Sequence, residues 1–302
     1  MSAPQVVVAG NLNVDLVLGT LADWPGWGRE VIVNQSDRRA GGIAHAACAL
    51  AALAVPVGAV ATVGADADGA FLVAWLERAG VDVGAVRQVA SEVTGLSVSV
   101  VRTDGERTFF THPGSLHAEG ADGLLARLPD GVRWVLLSGL MLLKETPASD
   151  VRRAMERLRA GGARVAVDPG WDPEGWPPAR LRWTREILAG ADLVLVNEEE
   201  CAALELVVHP VAGSGLLAIK QGPQGATVVD GAGRTEVAGE PVHAVDTVGA
   251  GDVWNAAFLC ALLAGDAAAD AARDANRVAA EYVARPPGPG RYPARKAGAS
   301  GG

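Results

Sequence analysis

The chain has 302 residues, 49% of them hydrophobic, and a formal net charge of −9. That length accommodates one large α/β domain or two ordinary ones, and the apolar share supports a core without disulfide or metal staples. The acidic balance, with no Lys/Arg-rich run outside short helical faces, argues against nucleic acid or an anionic membrane surface as partner.

Gln5–Ala9 reads as the first strand. Asp15–Thr20 and Glu30–Gln35 alternate apolar and polar residues with no helix between them. Ile43 to Ala65 contains no Asp, Glu, Lys or Arg, and about 20 apolar residues can span a bilayer. Pro56 and Gly58 break the run, so a buried helix (Gly42–Ala54) followed by a buried strand (Val57–Val63) is the expectation. A helix over Ala67–Arg78 follows, then a second alternating pair, Leu96–Arg102 and Thr108–Thr111, joined by the turn Thr103-Asp104-Gly105-Glu106. Further on, strands Arg133–Leu137, Arg164–Asp168, Asp192–Val196 and Leu216–Lys220 interleave with helices Pro147–Ala160, Ala179–Ala189 and Glu198–Glu205. Thr146 is placed to cap the first of these helices. Two helices, Ala250–Ala264 and Ala267–Ala284, close the pattern.

Apolar strands alternating with helices imply a mostly parallel sheet covered on both faces. The two alternating pairs cannot easily join it, so they are expected to project as a small β-sheet lid, formed from about 12–38 and 94–113, over the strand ends where α/β proteins bind ligands. Residues 1–293 read as a single domain, and 294–302 have the composition of a disordered tail. Cys48, Cys201 and Cys260 lie far apart with no CxxC, which points to free thiols in a reducing compartment. With no basic leader before VVVAG, the expectation is a soluble cytoplasmic protein.

Three polar constellations carry chemistry. Asp246-Thr-Val-Gly249-Ala250-Gly251-Asp252 puts a glycine turn at a helix start, where free N–H groups attract anions. Asn197-Glu-Glu-Glu200 and Lys220-Gln-Gly222-Pro-Gln-Gly225 each follow a strand. Glycine loops beside acids suit a nucleoside triphosphate with magnesium. A P-loop is excluded by the lack of GxxxxGK[ST], and the first strand is not followed by GxGxxG.

DTVGAGD resembles the DTxGAGD signature of the ribokinase/fructokinase-type carbohydrate kinases, the PfkB family. GNLNVD, AGGIAHAA, VGADADG, GERTFF, NEEE and KQGPQG resemble further motifs of that family, in its order, from Val6 to about Pro293. The resemblance implies a ribokinase-like fold and an ATP- and Mg2+-dependent kinase acting on a sugar. A nucleoside kinase of the same fold, or a non-catalytic sugar or nucleotide sensor, is the alternative. It makes Asp252 the catalytic base beside an anion hole of Gly249, Ala250, Gly251 and Asp252 N–H groups. It assigns Asn13, Asp15, Gly41 and Gly42 to the sugar, Asn197 and Glu200 to magnesium through water, and Lys220, Gly222, Gly225 and Asn276 to the nucleotide. Asp246 and the backbone around Pro287–Pro293 fall where many members bind a monovalent cation such as K+. One departure is Ala46, where the family's GGxxxN motif has Asn; the preceding His45 is a candidate substitute, and Trp27 a candidate for stacking on a sugar ring. Lid strands with apolar faces commonly pair, so a homodimer through the lid is also expected.

Overall fold

The apolar run of β1 (Val6–Gly10) is buried from end to end, and its side chains alternate between two cores. Val6 and Val8 face one core, Val7 and Ala9 the other. This is what a central parallel strand requires. The computed structural model describes residues 3–103, 107–117, 121–143, 145–206, 215–288 and 290–294; all but the first residue of the expected disordered tail, and most of the Thr103–Glu106 turn, lie outside them.

Around β1 stand β4 (Val57–Gly64), β5 (Asp82–Val89), β8 (Trp134–Ser138), β9 (Arg164–Asp168), β10 (Leu193–Asn197) and β11 (Leu216–Lys220), all parallel. A hairpin of β12 (Gly225–Asp230) and β13 (Gly233–Ala238) adds two antiparallel strands, giving nine in the order β13-β12-β11-β10-β9-β8-β1-β4-β5. On one face lie α1 (Ala44–Ala52), α2 (Ala67–Arg78), α7 (Ala250–Ala264) and α8 (Ala268–Val283). On the other lie α3 (Ala121–Ala126), α4 (Ala148–Ala160), α5 (Pro178–Leu188) and α6 (Glu198–Ala203). The expected sheet, covered on both faces, is present.

The second sheet has four strands in the order β3-β2-β6-β7: β2 (Leu12–Leu21), β3 (Gln35–Gly42), β6 (Leu96–Arg102) and β7 (Arg107–His112). Its second strand is not Glu30–Gln35 but the stretch beginning at Gln35, which carries Gly41 and Gly42 into the ladder opposite Asn13 and Leu12. Helix α1 therefore starts at Ala44 rather than Gly42. Asp66 caps α2 through the Gly69 N–H at 2.8 Å and also accepts from Thr94 N at 2.8 Å, tying the start of the lid to the main body. Thr146 does not cap α4: Pro147 precedes the helix, and the Thr146 carbonyl accepts from Trp183 Nε1 at 2.7 Å. No helix among the described residues is long and apolar enough to cross a membrane.

Candidate active site

A crevice opens at the carboxyl ends of the parallel strands, the position that open α/β sheets offer to ligands. Asn11 after β1, Ser138 of β8, Asp168 of β9, Asn197 of β10 and Lys220 of β11 line it, with Gly42, Gly222, Glu200, Gly251 and Asp252. The three motif constellations thus converge.

The first turn of α7 forms the crevice floor. Gly249 precedes the helix with φ +78°, and no side chain caps it. Only glycine is at ease there, and a Cβ would lie 2.5 Å from the His45 ring. An α-helix leaves its first N–H groups without intrahelical partners, which makes Gly249, Gly251 and Asp252 available donors. The Ala250 N–H is different, because it turns back onto Thr247 O at 3.2 Å. Of the four N–H groups expected to form an anion hole, that of Ala250 is thus already bonded.

Asp252 is half-buried by surface area, yet protein encloses it from most sides. Burial, reinforced by Asp168, raises its pKa from 3.8 to about 7, against the opposing charge of Lys220. Lys220 donates to Asp168 Oδ2 at 2.8 Å and Asn255 Oδ1 at 3.1 Å, and Asn255 Nδ2 donates to the same Asp168 oxygen at 2.6 Å. Burial alone would lower the Lys220 pKa; Asp168 and Glu200 outweigh it and hold the ammonium charged.

Asn197 and Glu200 cap α6 reciprocally. Asn197 Oδ1 accepts from Glu200 N at 2.8 Å, and Glu200 Oε2 accepts from Asn197 N at 2.9 Å. Burial and the neighbouring Asp168 raise the Glu200 pKa to about 7. Among the described residues no group of three or more His, Cys, Asp or Glu could hold a metal. Magnesium keeps several of its waters and uses one or two carboxylates with substrate phosphates; the cap uses Oδ1 of Asn197 and Oε2 of Glu200, leaving Glu200 Oε1 as the carboxylate oxygen outside it.

On the lid side, Asp15 accepts from Asn13 Nδ2 at 2.6 Å. Burial pushes its pKa up to about 6, with Asn13 and Arg39 opposing, and its charge is felt at Asp252. Gly41 packs against this carboxylate with no room for a side chain.

Several expected residues lie elsewhere. His45 is buried under the Gly249 turn, with Nδ1 3.2 Å from Tyr292 Oη; burial, then Arg291 and Arg39, lower its pKa to about 4. It braces the turn and does not line the crevice, and Ala46 is fully buried in the core. Asn276 is used up internally: its oxygen accepts from Trp254 Nε1 at 2.7 Å, and its amide donates to Val237 O and Ala238 O. Gly225, with φ +106°, lets β12 pass the end of β13, and it is not among the residues lining the crevice. Trp27 is fully exposed and away from the crevice. Asp246 faces three arginines rather than solvent: Arg39 and Arg291 on Oδ2, Arg107 on Oδ1. Sequence reasoning missed Asn11, Ser138, Asp168 and Asn255. The first three end or follow parallel strands, and that position was the available signal.

Among solved structures, ribokinase from Arabidopsis thaliana, complexed with ribose and ATP, superposes with a TM-score of 0.79 over 97% of this chain and 96% of its own, at 24% identity. The fold is thus that of the ribokinase-like α/β kinases. The model of the pfkB family carbohydrate kinases matches residues 3–288, and the chain belongs to that family. Two relatives share 33% identity: an ATP-dependent ribose-1-phosphate kinase from Halopiger xanaduensis, over 86% of this chain and 85% of its own, and a fructokinase from Klebsiella pneumoniae, over 74% and 76%. The protein is a carbohydrate kinase.

Proposed function

We propose that the protein transfers the γ-phosphoryl group of ATP to a hydroxyl of a small sugar or sugar phosphate, with Asp252 as general base. The observation that carries this reading is the environment of Asp252: a carboxylate raised to about 7 beside unpaired N–H donors of a helix start. A base with that pKa is half-ionised near neutral pH, where proton acceptance is most effective. The acceptor hydroxyl loses its proton to Asp252 as its oxygen bonds to the γ-phosphorus; the bond to the β–γ bridging oxygen breaks, and ADP leaves with that electron pair. The N–H groups of Gly249, Gly251 and Asp252 receive charge on the transferred phosphoryl. Glu200 would hold magnesium together with the nucleotide, and that ion would supply charge neutralisation at the phosphates. Lys220, held by Asp168 and Asn255, presents a fixed cation to the phosphates. Asp15, oriented by Asn13, accepts hydrogen bonds from sugar hydroxyls. A cytoplasmic setting suits ATP use and the free thiols Cys48, Cys201 and Cys260.

The kinases of ribose-1-phosphate and fructose among the relatives, and the ribose complex of the structural neighbour, support a pentose or hexose acceptor. The test is ADP release from ATP and magnesium across sugars, sugar phosphates and nucleosides. Turnover with one sugar class, lost in Asp252→Asn, upholds the reading. Turnover confined to nucleosides replaces the acceptor, and melting shifts without turnover favour a sensor.

A further inference from the structure

Asp246 opens the loop that ends in the anion hole, and it offers two kinds of oxygen, a carboxylate and a main-chain carbonyl. Arg291 takes both: Nη2 donates to the carbonyl at 2.6 Å and Nη1 to Oδ2 at 3.2 Å. Arg39 donates to the same Oδ2, while Oδ1 accepts from Val248 N at 2.9 Å and from Arg107 Nη2 at 3.5 Å. A carboxylate has about four lone-pair sites, so N–H donors use them all. The monovalent cation that the sequence resemblance implies at Asp246 finds no free carboxylate oxygen here and meets three guanidinium charges. The donor set does not fit it.

Arg291 is held firmly. Its side chain is 4% exposed, and its guanidinium carbon lies 4.0 Å above the Tyr282 ring. Tyr282 Oη in turn donates to Val248 O at 2.9 Å. Next along the chain, Tyr292 stacks on Tyr282 with centroids 5.4 Å apart, and its hydroxyl reaches His45 Nδ1, whose ring sits against Gly249. The loop is therefore gripped at the carbonyls of 246 and 248 and at Gly249, before the helix begins.

We infer that Arg291 is a built-in cation: its guanidinium neutralises Asp246 and fixes the loop, so the N–H groups of Gly251 and Asp252 are positioned without an alkali-metal ion. Arg291 is a positioning residue and touches no reacting atom. The inference rests on the kinase reading above, and the experiment separates the two.

Initial rates and melting temperatures are measured in K+, Na+ and tetramethylammonium chlorides at one ionic strength, for wild type, Arg291→Ala and Arg291→Lys. Wild type is expected to keep its kcat and its melting temperature within about twofold and about 1 °C across the three salts, since its cation is covalent. Arg291→Ala loses about tenfold or more in kcat, with millimolar guanidinium restoring several-fold and tetramethylammonium nothing. Arg291→Lys, which keeps the charge but not the two-pronged fork, falls between and serves if the alanine variant does not fold. A wild-type kcat that rises about tenfold from tetramethylammonium to K+ overturns the inference, as does an Arg291→Ala enzyme with full kcat. Failure of the kinase reading shows differently: no acceptor yields ADP. The melting temperatures then decide, a wild-type rise in K+ alone overturning the inference and salt-independence with guanidinium-specific stabilisation of Arg291→Ala upholding it.

Discussion

Asp252→Asn removes a charge while keeping shape, and it acts on stability and catalysis in opposite directions. In the folded chain the Asp252 pKa is raised from 3.8 to about 7, chiefly by burial, then by Asp168. The sign follows: an acid with a raised folded pKa stores a destabilising term that is absent below pH 3.8, grows as pH rises, and is complete above about 7. A shift of about three units is worth at most about 4 kcal/mol at about 1.4 kcal/mol each. Water entering an open crevice, and the unremoved cost of burying a polar amide, reduce the expected gain to about 1–2 kcal/mol. For a chain of this length that raises Tm by about 2–3 °C at about pH 8, and at about pH 5 only about a third of the term has accrued. The assay is thermal unfolding of both proteins across that pH range, with kcat measured alongside, which falls by about 10³ or more. A variant that melts below wild type at pH 8, or whose advantage does not change with pH, refutes the account of Asp252 as a desolvated base.

Wild-type kcat/KM is expected to rise with pH through about 7, the value to which burial and Asp168 bring Asp252; a profile flat from about pH 6 to 8 contradicts it. Lys220→Met leaves Asp168 without its cation and removes the charge opposing the Asp252 shift, so the rising limb moves alkaline and stability drops by about 3–5 kcal/mol, read by pH profile and denaturant melt. Gly249→Ala forces a side chain into φ +78° and against His45; it costs about 1–2 kcal/mol in stability and lowers kcat about 10²-fold with little change in nucleotide affinity, which calorimetry and rates separate. Trp24, Ile32, Phe109 and Phe110 are exposed on and beside the lid strands, and a second copy covering them predicts a dimer by light scattering that Phe109→Ser with Phe110→Ser converts to monomer; a monomeric wild type at micromolar concentration ends that proposal.

Local patterns in the sequence predict much of the site because each motif is a single strand end or helix start. DTVGAGD, NEEE and KQG need only a parallel sheet to converge, and the alternation of apolar strands with helices supplies that sheet. Residues whose roles depend on distant partners were not legible. Arg39, Arg107 and Arg291 meet at Asp246 from 207, 139 and 45 positions away, and no periodicity encodes that meeting. Asn276 is a polar residue in a helix whose partners, Val237, Ala238 and Trp254, lie on other elements, so sequence alone could not tell a ligand contact from a strut. Strands β5, β12 and β13 escaped notice for different reasons: β13 is a sheet edge of mostly exposed, polar residues, β5 is an edge whose apolar residues are interrupted by Gly84, Arg87 and Gln88, and β12 is a short antiparallel strand directly behind a glycine turn.

The two aspartates that bound DTVGAGD sit in opposed environments. At Asp246, burial disfavours ionisation, but the Val248 N–H and the guanidiniums of Arg39 and Arg291 outweigh it and hold the carboxyl below its usual range. At Asp252, burial is joined by Asp168, Asp15 and Glu200 and outweighs the opposing charge of Lys220, which is hydrogen-bonded to Asp168 and Asn255. One loop thus carries a permanent anion that anchors it and a carboxylate poised to exchange a proton. Pairs of like groups driven apart in this way mark acid–base sites. On the proposed kinase reading, an acid beside an anion hole is contradictory only if it is charged throughout: with its pKa raised to about 7, Asp252 would admit a phosphate next to it and still take the proton that an attacking hydroxyl must lose.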